Sequence, residues 1–327
     1  MACARAAGVD RMKHILVTGA NGFVGQALTR RLLADGACER LTLVDLTLDD
    51  APDDPRVRRV AGSIAEDGVL AAALEPGCDG VFHLASLPGG AAERQHALGL
   101  DVNLRATLTL LELLRQRAVE NPGQPATRLV FTSTIAVYGS PLPDRVDDAT
   151  PTRPTLSYGA QKLAAEILLS DYGRRGWVDG CALRLPGIVA RPPAPNGLLS
   201  AFMSEIFWAL AAGRPFVCPV SAQAVAWWMS VGTCVDNLLH AAGLPPATLA
   251  ERRVFTLPVL RLTIADLVDG LAARFGEDRR RLVTHAPDPA LEAGFGAFPP
   301  LDATAAAAVG FRHDGDVGAL IRRALAA

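Results

Sequence analysis

Tyr158 and Lys162 stand four residues apart in Tyr158-Gly-Ala-Gln-Lys162. On a helix that spacing puts a phenol and an ammonium on one face. A free tyrosine titrates near pH ~10 and is a poor base at neutral pH. Bringing it to about 7 takes about 4 kcal/mol of preferential stabilisation of the phenolate, which a nearby cation can supply. A phenolate beside a substrate hydroxyl can take its proton while hydride leaves the same carbon. Taken alone, the pair is also what an exposed helix face carries. Its surroundings give it weight. Thr132-Ser133-Thr134 precedes it, followed by Ile-Ala-Val-Tyr138-Gly139. Thr134 or Ser133 can hydrogen-bond the reacting oxygen and orient it toward Tyr158. Such a cluster at a strand end also commonly bonds its own backbone.

A second constellation binds rather than reacts. Gly19-Ala-Asn21-Gly22-Phe23-Val24-Gly25 spaces its glycines by three and three, between an apolar run and a helical pattern. Gly19 permits a tight turn, Gly22 admits a pyrophosphate close to the backbone, and Gly25 lets the helix pack near the sheet. The helix N-terminus offers free N–H groups to phosphates. Asp45 lies twenty residues beyond Gly25, at the end of the next apolar run. A carboxylate there accepts hydrogen bonds from ribose hydroxyls and repels a 2′-phosphate. Leu46, not a basic residue, follows it. The cofactor is therefore read as NAD rather than NADP.

The elements that must position these groups alternate along the chain. Strands are expected at 14–18, 41–45, 57–61, 80–84, 128–133 and 180–185. Helices are expected at 23–34, 69–74, 102–119 and 156–175. The pattern predicts an α/β fold, a Rossmann-type doubly wound parallel sheet. The prolines of Arg191-Pro-Pro-Ala-Pro195 mark a change of texture. Beyond them a smaller C-terminal α/β lobe of mixed order is expected. The division reads as 1–12, a disordered extension with Met12 a candidate start; 13–186, the dinucleotide-binding domain, to which the Val235 region can return; and 187–327, mainly a substrate-binding lobe.

Composition narrows the function classes. The 327 residues carry a formal charge of −2, half are hydrophobic and a fifth are charged. That excludes a disordered chain and gives no footprint of a nucleic-acid or polybasic membrane-surface binder. The first eleven residues have no apolar core of a signal peptide, and no run approaches the ~20 apolar residues that span a bilayer. Cys3, Cys38, Cys78, Cys181, Cys218 and Cys234 form no Cys-x-x-Cys pair and read as scattered reduced thiols of a cytoplasmic protein. No metal site is expected. Of the 32 basic residues only Lys13 and Lys162 are lysines. In so Arg-biased a chain, Lys162 calls for a reason that Arg does not satisfy.

Together these elements resemble the extended short-chain dehydrogenase/reductase family, the broad NAD-dependent epimerase/dehydratase group. The matching pieces are the glycine turn, Asp45, His83-Leu84-Ala85, Asn103, Thr132-Ser133-Thr134 with Val137-Tyr-Gly139, Tyr158-x-x-x-Lys162 and Val235-Asp-Asn237. The resemblance implies that Tyr158 is the catalytic acid/base. It also implies that Lys162 binds the nicotinamide ribose and lowers the tyrosine pKa, and that Thr134 takes the catalytic hydroxyl position with Ser133 beside it. It extends the cofactor contacts to Leu84, Ala85, Asn103 and Pro186. Many relatives carry Gly-Asp where this chain has Gly62-Ser63, which leaves Ser63, Ile64 or a backbone group to meet the adenine. A narrower resemblance rests on Leu156-Ser-Tyr-Gly159, Leu183-Arg-Leu-Pro186, Arg191-Pro192, Pro195-Asn196 and Trp227-Trp-Met-Ser230. It is to a subfamily that oxidises the C2 hydroxyl of a four-carbon sugar acid, D-erythronate, to the 2-oxo acid with NAD. Pro88, in the loop after the fourth strand, departs from that subfamily.

A sugar acid needs a cation or several donors for its carboxylate, and a bidentate Arg is the strongest choice. Arg191, with Asn196 following, is the candidate; a surface Arg beside a proline loop is the competing reading. Ser86 is expected to line the site opposite Tyr158. Arg184 reads as a structural hydrogen-bonder, and His83 and Asp236 as scaffold. Trp227 and Trp228 can wall the site, though neighbouring aromatics more often split between core and surface. Two other functions remain: a nucleotide-sugar epimerase or dehydratase that keeps NAD bound, and a non-catalytic dinucleotide sensor. A homodimer through the helices at 102–119 and 156–175 is expected by analogy with related enzymes.

Overall fold

The computed structural model describes residues 12–75, 77–193 and 199–326. The expected N-terminal extension before Met12, Cys3 and the candidate Asn196 lie outside the described residues.

Six strands follow the apolar runs: β1 (Met12–Thr18), β2 (Cys38–Asp45), β3 (Val57–Ala61), β4 (Gly80–His83), β5 (Arg128–Thr134) and β6 (Asp179–Leu185). All pair in parallel. β1 and β5 are buried almost throughout, because helices cover both faces of the sheet; they accordingly read as unbroken apolar runs. β3, with Arg58 and Arg59, is the partly exposed edge. The intervening helices are α1 (Phe23–Ala34), α2 (Val69–Leu74), α3 (Gly89–Arg94), α4 (His96–Leu100), α5 (Ala106–Glu120) and α6 (Ser157–Arg174). Leu28 and Leu32 of α1 bury against one face of the sheet. Leu110, Leu111 and Leu114 of α5, with Ala165 and Leu169 of α6, bury against the other.

Beyond β6 come β7 (Gly187–Val189), α7 (Phe202–Ala211), β8 (Phe216–Cys218), β9 (Val225–Ser230), α8 (Val231–Ala242) and α9 (Pro246–Glu251). They are followed by β10 (Val254–Thr256), β11 (Leu260–Thr263), α10 (Ile264–Phe275), β12 (Val283–His285), α11 (Pro289–Phe295), α12 (Thr304–Ala308) and α13 (Val317–Leu325). The chain does not divide cleanly at residue 186. α8 packs against α1, and β10 pairs with β6 as the seventh strand. The central sheet has the order β3-β2-β1-β4-β5-β6-β10. The second lobe is built from a three-stranded sheet, β11-β9-β7, and a two-stranded one, β12-β8. Its core holds Phe207, Trp228, Leu267, Leu271 and Leu320.

Two local features differ from the sequence expectation. Gly89 to Ala91, expected as part of the loop after β4, open α3, and the helix expected from Val102 starts with a π turn at Asp101–Arg105. Trp227 and Trp228 do not split between core and surface. Both are buried, on opposite faces of β9: Trp227 beside Val137 and Tyr138, Trp228 beside Phe207. Among the described residues no helix is long and apolar enough to cross a membrane.

Candidate active site

The order of the central sheet reverses between β1 and β4, where open α/β sheets bind ligands outside the carboxyl ends of their strands. A cavity of about 1270 Å³ opens there, bounded by Gly19 after β1, Leu84 after β4 and Thr134 at the end of β5. Single small-molecule sites occupy about 300–1,000 Å³, so this one has room for two ligands.

The glycine turn forms one end. Gly19 has φ +71°, and a Cβ at Gly25 would stand 2.1 Å from the Gly19 carbonyl oxygen. Only a bare backbone lets α1 begin so close to the turn, with its first N–H groups unpaired by the helix itself. Asp45 is held at the rim. Its Oδ2 accepts from the Asn21 N–H at 2.8 Å and its Oδ1 from the Leu46 N–H at 2.8 Å. Each oxygen keeps a further lone pair for an outside donor. Asn21, Gly22, Phe23, Val24 and Ser63 also face the cavity. So do Ile64, Ala85 and Pro186. A dinucleotide fits this arrangement: a cradle that a side chain would fill, a helix N-terminus for phosphates, and a carboxylate for ribose hydroxyls.

The reactive groups gather deeper in. Tyr158 lies in the first turn of α6, and its neighbour Gly159 lets that turn press on the segment after β5. A Cβ at Gly159 would lie 2.5 Å from the Ala136 carbonyl oxygen. This close approach brings Tyr158 to Thr134. Burial pushes the phenol above its ordinary pKa, opposed by hydrogen bonds with Ser86 and Thr134 and by the charge of Arg191. Thr134 Oγ1 accepts the Ala136 N–H at 3.1 Å, which leaves its own proton for the Tyr158 oxygen or for a ligand in the cavity. Ser133 differs: its hydroxyl donates to Glu166 Oε1. Arg191 also faces the cavity, with its guanidinium carbon 5.4 Å from the centre of the Phe23 ring. Burial lowers its pKa, and the nearby Tyr158 opposes that shift.

Two expected site residues stand behind the wall. Lys162 is 1% exposed, with its ammonium 4.6 Å from the centre of the Phe131 ring and 5.9 Å from that of Tyr158. Burial pushes its pKa down to about 7, against the attraction of Glu166. Asn103, in the π turn, is fully buried. Its Oδ1 accepts from the Leu87 N–H at 2.8 Å and its Nδ2 donates to the Leu87 carbonyl at 3.0 Å. Its role here is to shape the loop carrying Ser86, rather than to line the cavity.

His83 is buried between Thr18 Oγ1 at 2.7 Å and Thr107 Oγ1 at 3.0 Å, and stacks on Phe131. Burial and the charge of Lys162 push its pKa down to about 3, so it is a neutral scaffold. Asp236 ties α8 to Arg31 and Arg323. Sequence reasoning missed three contributors. Gly159 carries the close approach. Glu93 accepts from the Ser157 N–H at 2.8 Å and its hydroxyl at 2.9 Å, holding α3 to the start of α6. Glu166 sits one helical turn beyond Lys162, a spacing that could have signalled it. Among the described residues no cluster of three or more His, Cys, Asp or Glu side chains could hold a metal ion.

The model of the NAD dependent epimerase/dehydratase family matches residues 15–247. A D-erythronate dehydrogenase of Cupriavidus necator is 39% identical over 319 residues, covering 94% of this chain and 97% of that one. A D-erythronate dehydrogenase of Haemophilus influenzae is 33% identical over 313 residues, covering 94% and 98%. The crystal structure of a protein described as a nucleoside-diphosphate-sugar epimerase, from Agrobacterium tumefaciens, superposes with a TM-score of 0.88 at 33% identity, covering 98% of this chain and 96% of that one.

Proposed function

The chain belongs to the NAD-dependent epimerase/dehydratase family, and we propose that it oxidises the C2 hydroxyl of a small sugar acid, D-erythronate, to the 2-oxo acid. One observation carries this reading: the Tyr158 phenol, the Thr134 hydroxyl and the Arg191 guanidinium face one cavity that begins at the dinucleotide turn. Similarity to the two D-erythronate dehydrogenases supports the choice of substrate.

Gly19, Gly22, Gly25 and the N-terminus of α1 would hold the phosphates of NAD, Asp45 its adenosine ribose, and Ser63 and Ile64 its adenine side. When bound, NAD supplies the hydride acceptor. Tyr158, as phenolate, takes the proton of the C2 hydroxyl, and the buried Lys162 ammonium favours that phenolate. Thr134 turns its proton to the C2 oxygen as negative charge develops there. Arg191 pairs with the substrate carboxylate, where desolvation strengthens a bidentate contact. The second lobe closes the cavity with Trp227 and Phe298 and so acts as the substrate lobe.

The test is oxidation of D-erythronate and a panel of C4 and C5 aldonates, with NAD and with NADP, followed by absorbance of the reduced cofactor. D-Erythronate with NAD should be the best pair, and Tyr158→Phe should lose about 10²–10⁴-fold in turnover. Wild-type-like turnover in the variant would overturn the acid/base role. A second reading is favoured by the description of the Agrobacterium protein: a nucleotide-sugar epimerase. NAD that copurifies without exchanging, and no net reduced cofactor with any aldonate, would establish it instead.

Self-association through α5 and α6 is proposed with this reading. Leu108 and Val119 on α5 and Ile167 on α6 are 38%, 58% and 63% exposed, apolar surface that a second copy would cover. Sedimentation as a monomer at assay concentration would refute it.

A further inference from the structure

Behind Tyr158 and Ser133 lies a polar chain that neither proton transfer nor carboxylate binding uses. Glu166, on α6, is 2% exposed. Its Oε1 accepts from the Ser133 hydroxyl and from Arg184 Nε at 3.0 Å; its Oε2 accepts from Arg184 Nη2 at 2.7 Å. Arg184 Nη1 in turn donates to Tyr138 Oη at 3.0 Å, and Tyr138 Oη pairs with Thr256 Oγ1 at 2.6 Å. The chain thus ties α6 to β5, β6 and β10.

We propose that Glu166 is a positioning residue: it keeps the buried Lys162 ammonium charged at neutral pH and turns the Ser133 proton away from the cavity. This deepens the dehydrogenase reading and rests on it for its use in catalysis. The charge balance argues for it. Lys162 is buried and Arg184 half-buried beside it in the fold, and Glu166 is the carboxylate bonded between β6 and the Lys162 face of α6. The other titratable groups around Lys162 do not replace it. His83 from β4 is neutral, Tyr158 lies a turn earlier on α6, and Arg191 near Tyr158 is a further cation. Burial alone already drives Lys162 toward neutrality, and Glu166 opposes that. Without Glu166 the buried lysine would lose the one attraction that opposes its burial and would shed its proton more readily. The hydroxyl geometry points the same way. Ser133 has one proton, given to Glu166, so it offers the cavity only lone pairs. Thr134 is then the hydroxyl that donates, and Ser133 the one that accepts.

Lysine labelled with carbon-13 at Cε provides a readout that needs no substrate. The chain has only two lysines, and exposed Lys13 serves as the internal reference. In a pH titration by NMR, Lys162 should have a midpoint well below that of Lys13. Glu166→Gln should lower the Lys162 midpoint by about one pH unit or more, a tenfold weaker hold on the proton, while Lys13 stays in place. Arg184→Met breaks the same bridge but keeps the carboxylate, and should not lower the midpoint. Replacing a whole pair is better tolerated than breaking it. Should Glu166→Gln alone fail to fold, the double variant Glu166→Gln/Arg184→Met takes its place and should show the same lowered midpoint. An unmoved Lys162 in the folded Glu166 variants, or an equal lowering in Arg184→Met, would overturn the proposal, because a purely structural bridge gives those results. A chain that fails to oxidise any aldonate yet shows these shifts would overturn the substrate and leave the role of Glu166 standing.

Discussion

Gly25→Ala tests the dinucleotide turn where it is tightest. The new Cβ would sit 2.1 Å from the Gly19 carbonyl oxygen, 2.8 Å from Ala20 Cα and 2.9 Å from the Ala20 carbonyl carbon. All three are backbone atoms. Relieving the first contact to about 3 Å takes a shift of about 0.9 Å, and inserting a methylene into packed backbone costs about 1–3 kcal/mol. The turn cannot recede. The Gly19 N–H donates to the Val44 carbonyl at 2.9 Å, and even a Cβ at Gly19 would stand 2.6 Å from Ala85 N. The start of α1 must move instead, carrying its free N–H groups out of line with a phosphate. Hydrogen bonds to charged groups contribute about 1.5–3 kcal/mol each. Losing one or two weakens NAD by about 3 kcal/mol, roughly 150-fold in Kd. Gly22→Ala is the control, because its Cβ would meet a single atom at 3.2 Å, Gly19 O. Its Tm should stay near wild type while its methyl fills the cavity side of the turn. Calorimetric titration with NAD, together with a thermal melt, separates the two. Gly25→Ala should lower both Tm and affinity, whereas Gly22→Ala should lower affinity alone. A Gly25→Ala variant binding NAD within about threefold of wild type, with an unchanged Tm, would refute the close-packing account.

Arg191→Met should raise the KM for the sugar acid about 10- to 150-fold and leave the Kd of NAD unchanged; an unaltered KM in steady-state assays would remove Arg191 from the substrate site. Thr134→Val should cut kcat more than Ser133→Ala does, by about tenfold or more, because Thr134 keeps its proton on the Tyr158 side of the cavity while Ser133 gives its own to Glu166; the reverse order would contradict the hydroxyl assignment. Buried His83, at about 3 when folded against about 6.5 when unfolded, binds fewer protons folded than unfolded between those values. Stability therefore falls as pH drops through that window, by about 2 kcal/mol from pH 6.5 to 5. Urea unfolding of wild type and His83→Gln should differ by that slope, and parallel pH dependences would argue against a neutral imidazole.

The central sheet was readable because burial on both faces leaves an unbroken apolar run, as in β1 and β5, and because the glycine turn marks where β1 meets α1. That Tyr158 and Lys162 share one helix was readable from their spacing, and only the strand-end hydroxyls and the glycine turn before them marked the pair out. What escaped was set by contacts distant in sequence. Pro88-Gly89-Gly90 has the composition of a loop, yet α3 forms there, tied to α6 through Glu93 and Ser157. The π turn at Asp101–Arg105 has no periodic signature that differs from the helix it joins, and its effect is to bring Asn103 to the Leu87 backbone. β10 is three residues long, too short to announce which sheet it joins. Trp227 and Trp228 alternate like any strand pair, but the second lobe covers the face that solvent would otherwise meet.

The scarcity of lysine acquires a physical meaning in this setting. Lys13 is exposed, and arginine would serve there as well. Lys162 is 1% exposed, held between the Phe131 ring and the Tyr158 face, with Arg184 already occupying both oxygens of Glu166. A guanidinium at 162 would add volume where the packing has none to give. It would also bring a second rigid fork to a carboxylate whose bidentate partner is taken. It would be permanently charged as well, whereas the charge of the lysine rests on the attraction of Glu166 set against burial. A compact, tunable point charge is what a phenol one helical turn away requires. The same reasoning explains why Glu166 must be buried with it: an ammonium drawn this far from water stays charged only if a carboxylate goes with it.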